Sequence, residues 1–197
     1  MSSNLPTSPE PRAPFTYGIQ RLRNDVTSPL GGNRQRNDRK GDHYIVDFNI
    51  PPIEPNDARA WRKLLSGADT VVMRMPQPGF DVGNPGATPQ INGGLQLGST
   101  LSLKGITPGY TIRHGQFFSV VTGGRRWLYA ADADATANGS GIIQIPLEVM
   151  IRTNHLNNDT VEIVDPKIEG FPEIDDDAFT IQEDGHVWLS FSIEELG

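Results

Sequence analysis

Three aspartates in a row, Asp175-Asp176-Asp177, form the densest carboxylate run in the sequence. A calcium loop needs alternating ligands and a glycine at its sixth position, so three consecutive acids do not imitate one. Asp132 and Asp134 fall on one side of an extended segment, where two carboxylates could share a cation or work as an acid–base pair. Beside a tight turn, aspartates more often accept from backbone N–H groups, and that is the reading adopted for this pair. His43, His114, His155 and His186 are far apart and lack the i, i+2 or i, i+4 partners of a metal pair, which points to surface or packing roles. Ser140 sits in "NGSG" with no strand-to-helix elbow around it and nothing to position a base. Trp127 and Tyr129, at i and i+2, could form a sugar-stacking platform or the core face of a strand. Arg34, Arg36, Arg39 and Lys40 could clamp phosphate, but no aromatics interleave them, so an acidic neighbour fits them as well. No catalytic set, metal site or cofactor is expected.

The totals narrow the class further. The chain has 197 residues and no cysteine, which excludes disulfides, thiolate metal sites and a cysteine nucleophile. Gly 21 and Pro 16 imply many turns, as in a β-rich protein. The net charge of −7 argues against a general nucleic-acid binder. Its distribution is uneven. Residues 1–40 hold seven cations against Glu10, Asp25 and Asp38, whereas residues 168–197 hold nine acids and no cation. Ends of opposite sign can meet within one chain or between neighbouring subunits, so Arg34, Arg36, Arg39, Lys40, Asp175, Asp176 and Asp177 are candidate subunit-interface residues. "MSSNLPTSPEPRAP" lacks a signal pattern, and no run is long and apolar enough to span a membrane, so synthesis and assembly in a cytoplasm are expected.

The elements that would position these residues are mostly strands. Residues 1–14 read as a flexible arm. "FTYGIQRLR" and "HYIVDFNIPP" alternate with period two, and residues 24–41 between them read as a long polar loop. A short helix is expected over about 55–66, with Pro55 in its first turn, Asp57 toward its positive end, Gly67 as its stop, and Ala58, Trp61, Leu64 and Leu65 on one face. After a turn-rich connector at 76–94, short strands recur at 100–105, 116–121, 125–131, 142–146 and 160–164, the pattern of a small sandwich or barrel. The chain closes on a hairpin turned at Glu183-Asp184-Gly185. Trp61, Leu65, Phe117, Trp127, Tyr129 and Phe191 are the expected core anchors.

The ordered set of segments resembles the distal tail proteins of tailed bacteriophages. The stretches that carry the resemblance are "VDFNIPPIEPNDARAWRKLLSG", "INGGLQLGSTLSLKG", "RHGQFFSVVTGGRRWLYAADADATANGSGIIQIP", the arginine of "MIRT", and "AFTIQEDGHVWLSF". They cover roughly residues 15–195. The family's A-G-D triplet has Gln116 in its last place here, and loop 24–41 has no counterpart. The resemblance implies a mainly β protein: a β-sandwich belt domain with one short helix, from residues 15–90 and 167–197, and an inserted small β-barrel or sandwich domain from 92–166. It implies a structural virion protein of the phage tail tip, not an enzyme. Such a subunit forms a homo-oligomeric ring, commonly a hexamer, between the tail tube protein and the baseplate hub protein, and DNA crosses its lumen only transiently. The contrasting reading is a carbohydrate-binding β module for host surface glycans, using Trp127, Tyr129 and Trp188.

Overall fold

Alternation along the chain becomes strands in two β bodies, described for residues 2–26, 35–38, 41–175 and 178–196 in a computed structural model. The first part of the chain gives β1 (Ser3–Asn4), β2 (Arg12–Gln20), β3 (Arg23–Val26), β4 (Gln35–Asp38), β5 (His43–Ile53), helix α1 (Pro55–Gly67) and β6 (Val71–Arg74). The middle gives β7 (Gln90–Ile91), β8 (Thr100–Lys104), β9 (Thr111–Ile112), β10 (Phe117–Thr122), β11 (Arg125–Ala130), β12 (Ala135–Thr136), β13 (Ile143–Pro146) and β14 (Thr160–Glu162). The last part gives β15 (Lys167–Glu173), β16 (Phe179–Ile181) and β17 (Val187–Glu195). The fold is mainly β, with one helix among the described residues.

A seven-stranded mixed sheet runs β1-β6-β15-β17-β5-β2, and β16 pairs with β17 beyond the end of β15. Only its β1–β6 pair is parallel. The sheet takes its strands from both sides of the segment that builds the second body. That second sheet is antiparallel, in the order β11-β10-β14-β7-β8-β13. A bridge between Ala131 and Leu147 joins the ends of its two edge strands. Flanking bonds from Asp132 N–H to the Pro146 carbonyl (2.9 Å) and from Glu148 N–H to the Ala130 carbonyl (3.1 Å) hold it. The sheet thereby curls toward a small barrel at that corner, and edge-to-edge closure removes the unpaired strand edges there.

Period two decides which side of the mixed sheet is core. Tyr44, Val46, Phe48 and Ile50 on β5, and Val187, Leu189, Phe191 and Ile193 on β17, are buried. Helix α1 lies over this face, with Ala58, Trp61 and Leu65 buried on its inner side. Pro55 opens the helix, where its missing N–H costs nothing, and Asp57 complements the helix dipole. Gly67 is the last helical residue, and the chain leaves through an extended Ala68 whose N–H bonds the Leu64 carbonyl. The Trp61 ring centroid lies 6.0 Å from that of Phe191, which stands 5.5 Å from Phe48. Of the other expected anchors, Leu65, Phe117 and Tyr129 are buried, and Trp127 is half-buried against the core.

Two expectations change. The N-terminal arm is tied down: β1 pairs with β6, Leu5 is buried, and residues 12–14 already belong to β2. Short range gives no sign of this, because the pairing partner is nearly seventy residues away (Ser3 opposite Val71). The polar loop 24–41 contains a hairpin, β3–β4, with Asp25 opposite Arg36. Its residues are too polar for an apolar alternation to announce strands. Residues 27–34, 39 and 40 lie outside the described residues.

Truncating the helix anchor tests the packing. Trp61→Ala is expected to lower unfolding stability by about 3–5 kcal/mol, the usual range for emptying a buried aromatic site. Ser66→Ala, on the exposed side of the same helix, is expected to change it by under about 0.5 kcal/mol. Urea melts followed by circular dichroism measure both.

Candidate functional site

The most elaborate polar arrangement lies where the two bodies meet. Arg152 follows β13 in the second body, and Glu195 ends β17 of the mixed sheet. Their side chains are 2% and 1% exposed, and Arg152 Nη1 donates to Glu195 Oε2 at 2.7 Å. Arg152 Nη2 donates to Glu195 Oε1 at 2.8 Å and to the Leu128 carbonyl at 2.7 Å. The backbone N–H groups of Leu128 (2.6 Å) and Tyr44 (3.3 Å) also donate to the Glu195 carboxylate. The guanidinium carbon lies 5.5 Å from the Trp127 ring centroid and 5.3 Å from that of Tyr129. Both aromatic contacts are within cation–π range. Arg152 Nε is buried and has no hydrogen-bond partner among the described residues.

Burial pushes the Glu195 carboxyl above its ordinary value, and Arg152 pulls it back. Burial also works against the Arg152 charge, but Glu195 outweighs it and holds the guanidinium above its ordinary value. The first tendency favours a neutral acid and the second a cation. The geometry decides for the ionised pair, because N–H donors face both Glu195 oxygens and leave no acceptor for a carboxyl proton. Next to it, Tyr44 O–H donates to Glu148 at 3.3 Å. Burial, reinforced by Glu148, raises the Tyr44 hydroxyl well beyond the usual tyrosine range.

A second chain of polar groups starts from Tyr129. Its hydroxyl lies 2.9 Å from His155 Nε2, and His155 Nδ1 lies 2.7 Å from Thr122 Oγ1. Thr122 donates its hydroxyl proton to Asp159 Oδ2 at 2.5 Å. Thr122 must therefore accept from His155 Nδ1–H, and Nε2 accepts from the Tyr129 hydroxyl; the network assigns this tautomer. Asp159 also accepts from the Leu156 N–H at 2.7 Å. Burial lowers the His155 pKa to about 4, so the imidazole is neutral near neutral pH. Burial likewise pushes the Tyr129 hydroxyl up to about 12. The chain is saturated within the protein and serves to fix β10, β11 and the 153–159 turn.

A second clasp joins the bodies through Glu169 and Glu162. Glu169 is buried and accepts from Arg126 N–H at 2.9 Å and from the Ser2 hydroxyl. Glu162 accepts from Ser119 (2.9 Å), Arg126 Nε (3.1 Å) and Lys167 (3.0 Å). At Gly170 a Cβ would stand 2.0 Å from the Glu194 carbonyl oxygen, so β15 approaches β17 more closely than any side chain allows.

The residues singled out by sequence are dispersed. Asp134 accepts from His114 N–H at 2.8 Å and from Arg113 at 3.1 Å, a turn role that lowers its pKa. Asp132 is exposed beside it. Ser140 is exposed, in a turn where Asn138 accepts its N–H at 3.0 Å. Asp175 is exposed, and its carbonyl accepts from Ala178 N–H. Asp176, Asp177, Arg34, Arg39 and Lys40 lie outside the described residues, and Arg36 is placed on β4 by its backbone. Tyr129 is wholly buried and Trp127 packs against Arg152, so neither ring is free; Trp188 is 51% exposed. No cluster of three or more potential metal ligands occurs among the described residues. No helix among them is long and apolar enough to cross a membrane.

The outer face of the mixed sheet is open. It carries Thr16 and Gln20 of β2, Asp47 and Asn49 of β5, Trp188, Ser190, Ser192 and Glu194 of β17, and Phe171 and Glu173 of β15. Thr16 donates to Asp47 at 2.5 Å, and Glu194 meets His43 Nε2 at 2.8 Å. In comparisons with known proteins, the sequence matches no family model and no curated protein.

Two measurements probe this site. Arg152→Met leaves Glu195 buried and uncompensated, and is expected to cost about 3–5 kcal/mol in a urea melt. Adding Glu195→Gln removes the stranded charge, so the double variant is expected to be more stable than Arg152→Met alone. For His155, the unfolded chain binds a proton below pH 6.5 that the folded chain takes up only near pH 4. Its contribution is complete above pH 6.5 and declines as pH falls through that window, by roughly 3 kcal/mol at most. The melting temperature of His155→Asn is therefore expected to fall less steeply between pH 6.5 and 4 than that of the unaltered protein.

Proposed function

We propose that this protein is a structural ring subunit of a phage tail tip, joining the tail tube to the baseplate hub, without enzymatic activity. The observation that carries the reading is the mixed sheet: one face holds the core, the other is open and largely polar with Phe171 and Trp188 exposed on it, and β2, broken by a bulge between Arg12 and Thr16, is an edge strand among the described residues. Its regular part, Thr16–Gln20, presents backbone N–H and C=O groups that another chain could pair with. In a ring, every subunit makes the same head-to-tail contact, so one such edge is used repeatedly.

The open face suits a lumen that DNA crosses without being held. Asp47, Glu173 and Glu194 stand on it among serine, threonine and amide side chains and the exposed rings of Phe171 and Trp188, with Arg74 and Lys167 confined to its β6–β15 side. Tight DNA binding rests on cations that neutralise phosphates, and acids on a polar surface do the reverse. The sequence resemblance to distal tail proteins supplies the neighbours in this proposal, namely a tube protein on one side and a hub protein on the other. The virion tail is its proposed location.

Negative-stain images of the purified chain, alone and with tube protein, are expected to show rings, with a mass near six subunits by light scattering. A chain that stays monomeric at all concentrations and fails to join tails refutes the proposal.

A further inference from the structure

Val72 of β6 and Glu169 of β15 lie opposite each other and alternate with the core residues Val71, Met73 and Ile168. They therefore point away from the core, onto the face that is open elsewhere, yet Val72 is 5% exposed and Glu169 1%. Two elements meet on the Glu169 carboxylate. Arg126 N–H of β11 donates to Oε2 at 2.9 Å, and the Ser2 hydroxyl donates to Oε1. The Ser2 proton is thereby used, so the Thr70 hydroxyl, 2.9 Å away, donates to Ser2 in turn. Ser2 is carried there by the pairing of β1 with β6. The N–H groups of Ser3 and Leu5 donate to the Thr70 and Val72 carbonyls, each at 3.0 Å, and the Leu5 side chain joins the core.

Strand β11 stands at the end of the second sheet's strand order, and an edge strand turns its outward N–H groups out at alternate residues. Arg126 and Leu128 are such residues. Each gives its N–H to a carboxylate of the first body, Glu169 and Glu195 respectively. The two acceptors are supported differently. Arg152 of the second body holds both Glu195 oxygens, at 2.7 and 2.8 Å. On Glu169 the side-chain donor is Ser2, which is joined to β2 by the connection 6–11. That connection has prolines at 6, 9 and 11, and none of its residues makes a backbone–backbone hydrogen bond to another described residue. Glu10 pairs with Arg74, but both are exposed, and a pair of that kind contributes little.

We propose that the segment 2–5 is a latch on the junction of the two bodies: seated on β6, it seals the Glu169 carboxylate and gives that carboxylate a firm hold on β11. The physical link is the surroundings of one group. With Ser2 in place, water is kept from Glu169, and a hydrogen bond from Arg126 N–H to a buried carboxylate is strong. With the segment drawn off, the hydroxyl is gone and water reaches both oxygens. The same bond then competes with water and loses most of its strength. The Leu128–Glu195 bond has no such dependence, because its support comes from Arg152. The coupling is reciprocal: whatever loosens β11 from Glu169 also loosens the segment from β6. The second body's hold on the mixed sheet thus answers to whether β6 carries its short parallel strand. The latch works within a single subunit and stands apart from the ring reading.

Hydrogen exchange of single amides in the full chain, followed by nuclear magnetic resonance, tests this. Leu5→Asp puts a charge at a buried position and draws the segment off β6, which loss of protection at the amides of residues 3 and 5 reports. Arg126 N–H is then expected to exchange on the order of tenfold faster, the factor for losing a bond to a charged acceptor, while Leu128 and Phe48 are unchanged. Ser2→Ala keeps the segment seated and removes only the hydroxyl. It is expected to speed exchange at Arg126 roughly threefold with the same selectivity, and no change there overturns the latch however Leu5→Asp folds. In Glu169→Gln, adding Leu5→Asp is expected to leave Arg126 exchange where Glu169→Gln puts it, because the route runs through the carboxylate. Arg126 protection that survives release of the segment overturns the latch. So does a rise shared equally by Arg126, Leu128 and Phe48, which is general destabilisation.

Discussion

The Arg152–Glu195 pair is the constraint on which the arrangement of the two bodies depends. Glu195 lies at the last buried position of β17, and Arg152 comes from the second body, so neither charge can be satisfied unless the bodies dock. Taking both ions out of water offsets most of their attraction, and a buried pair of this kind adds little net stability over apolar packing. Its effect is on which docked arrangement is allowed. A shift of an ångström or two would strand a carboxylate, a guanidinium and the Leu128 and Tyr44 N–H groups together. Apolar packing alone tolerates such shifts far better.

The pair also changes what the acidic end of the chain means. Nine acids without a cation in residues 168–197 suggest a surface for a basic neighbour. Two of them, Glu169 and Glu195, are buried and serve the docking of the bodies, and Glu194 faces His43. The charge of the segment is therefore divided between internal clasps and the surface. Glu173, Asp175, Glu183 and Asp184 remain on the outside.

Much of the fold is legible from local pattern. The alternation of β5 and β17, the helix face of Ala58, Trp61 and Leu65, and the glycine-marked hairpin between β10 and β11 all follow from period and turn chemistry. Glu195 was legible too: continuing Val187, Leu189, Phe191, Ile193 by two places puts a carboxylate on the buried side, and a buried carboxylate requires a cation. Its partner was not, because Arg152 lies in irregular chain that has no period. The His155 network is hidden for the same reason, since Thr122, Tyr129 and Asp159 meet only when β10, β11 and β14 have paired. Strands β1, β3 and β4 escape notice because polar residues form them and their partners supply the reason to be extended.

Rigid docking and exposed apolar surface belong to one argument. A free subunit gains nothing by holding Leu95 and Leu97 in water on a loop stapled from within. The hydrogen bonds of the Gln96 loop and of the two buried clasps keep the two bodies and their surfaces in fixed relation. Fixed relation is what a closed assembly requires, because angular error at one contact is repeated at every other and decides whether the ring closes or opens into a filament. In the proposed ring, the buried ion pair that contributes little to stability is the part that sets the angle.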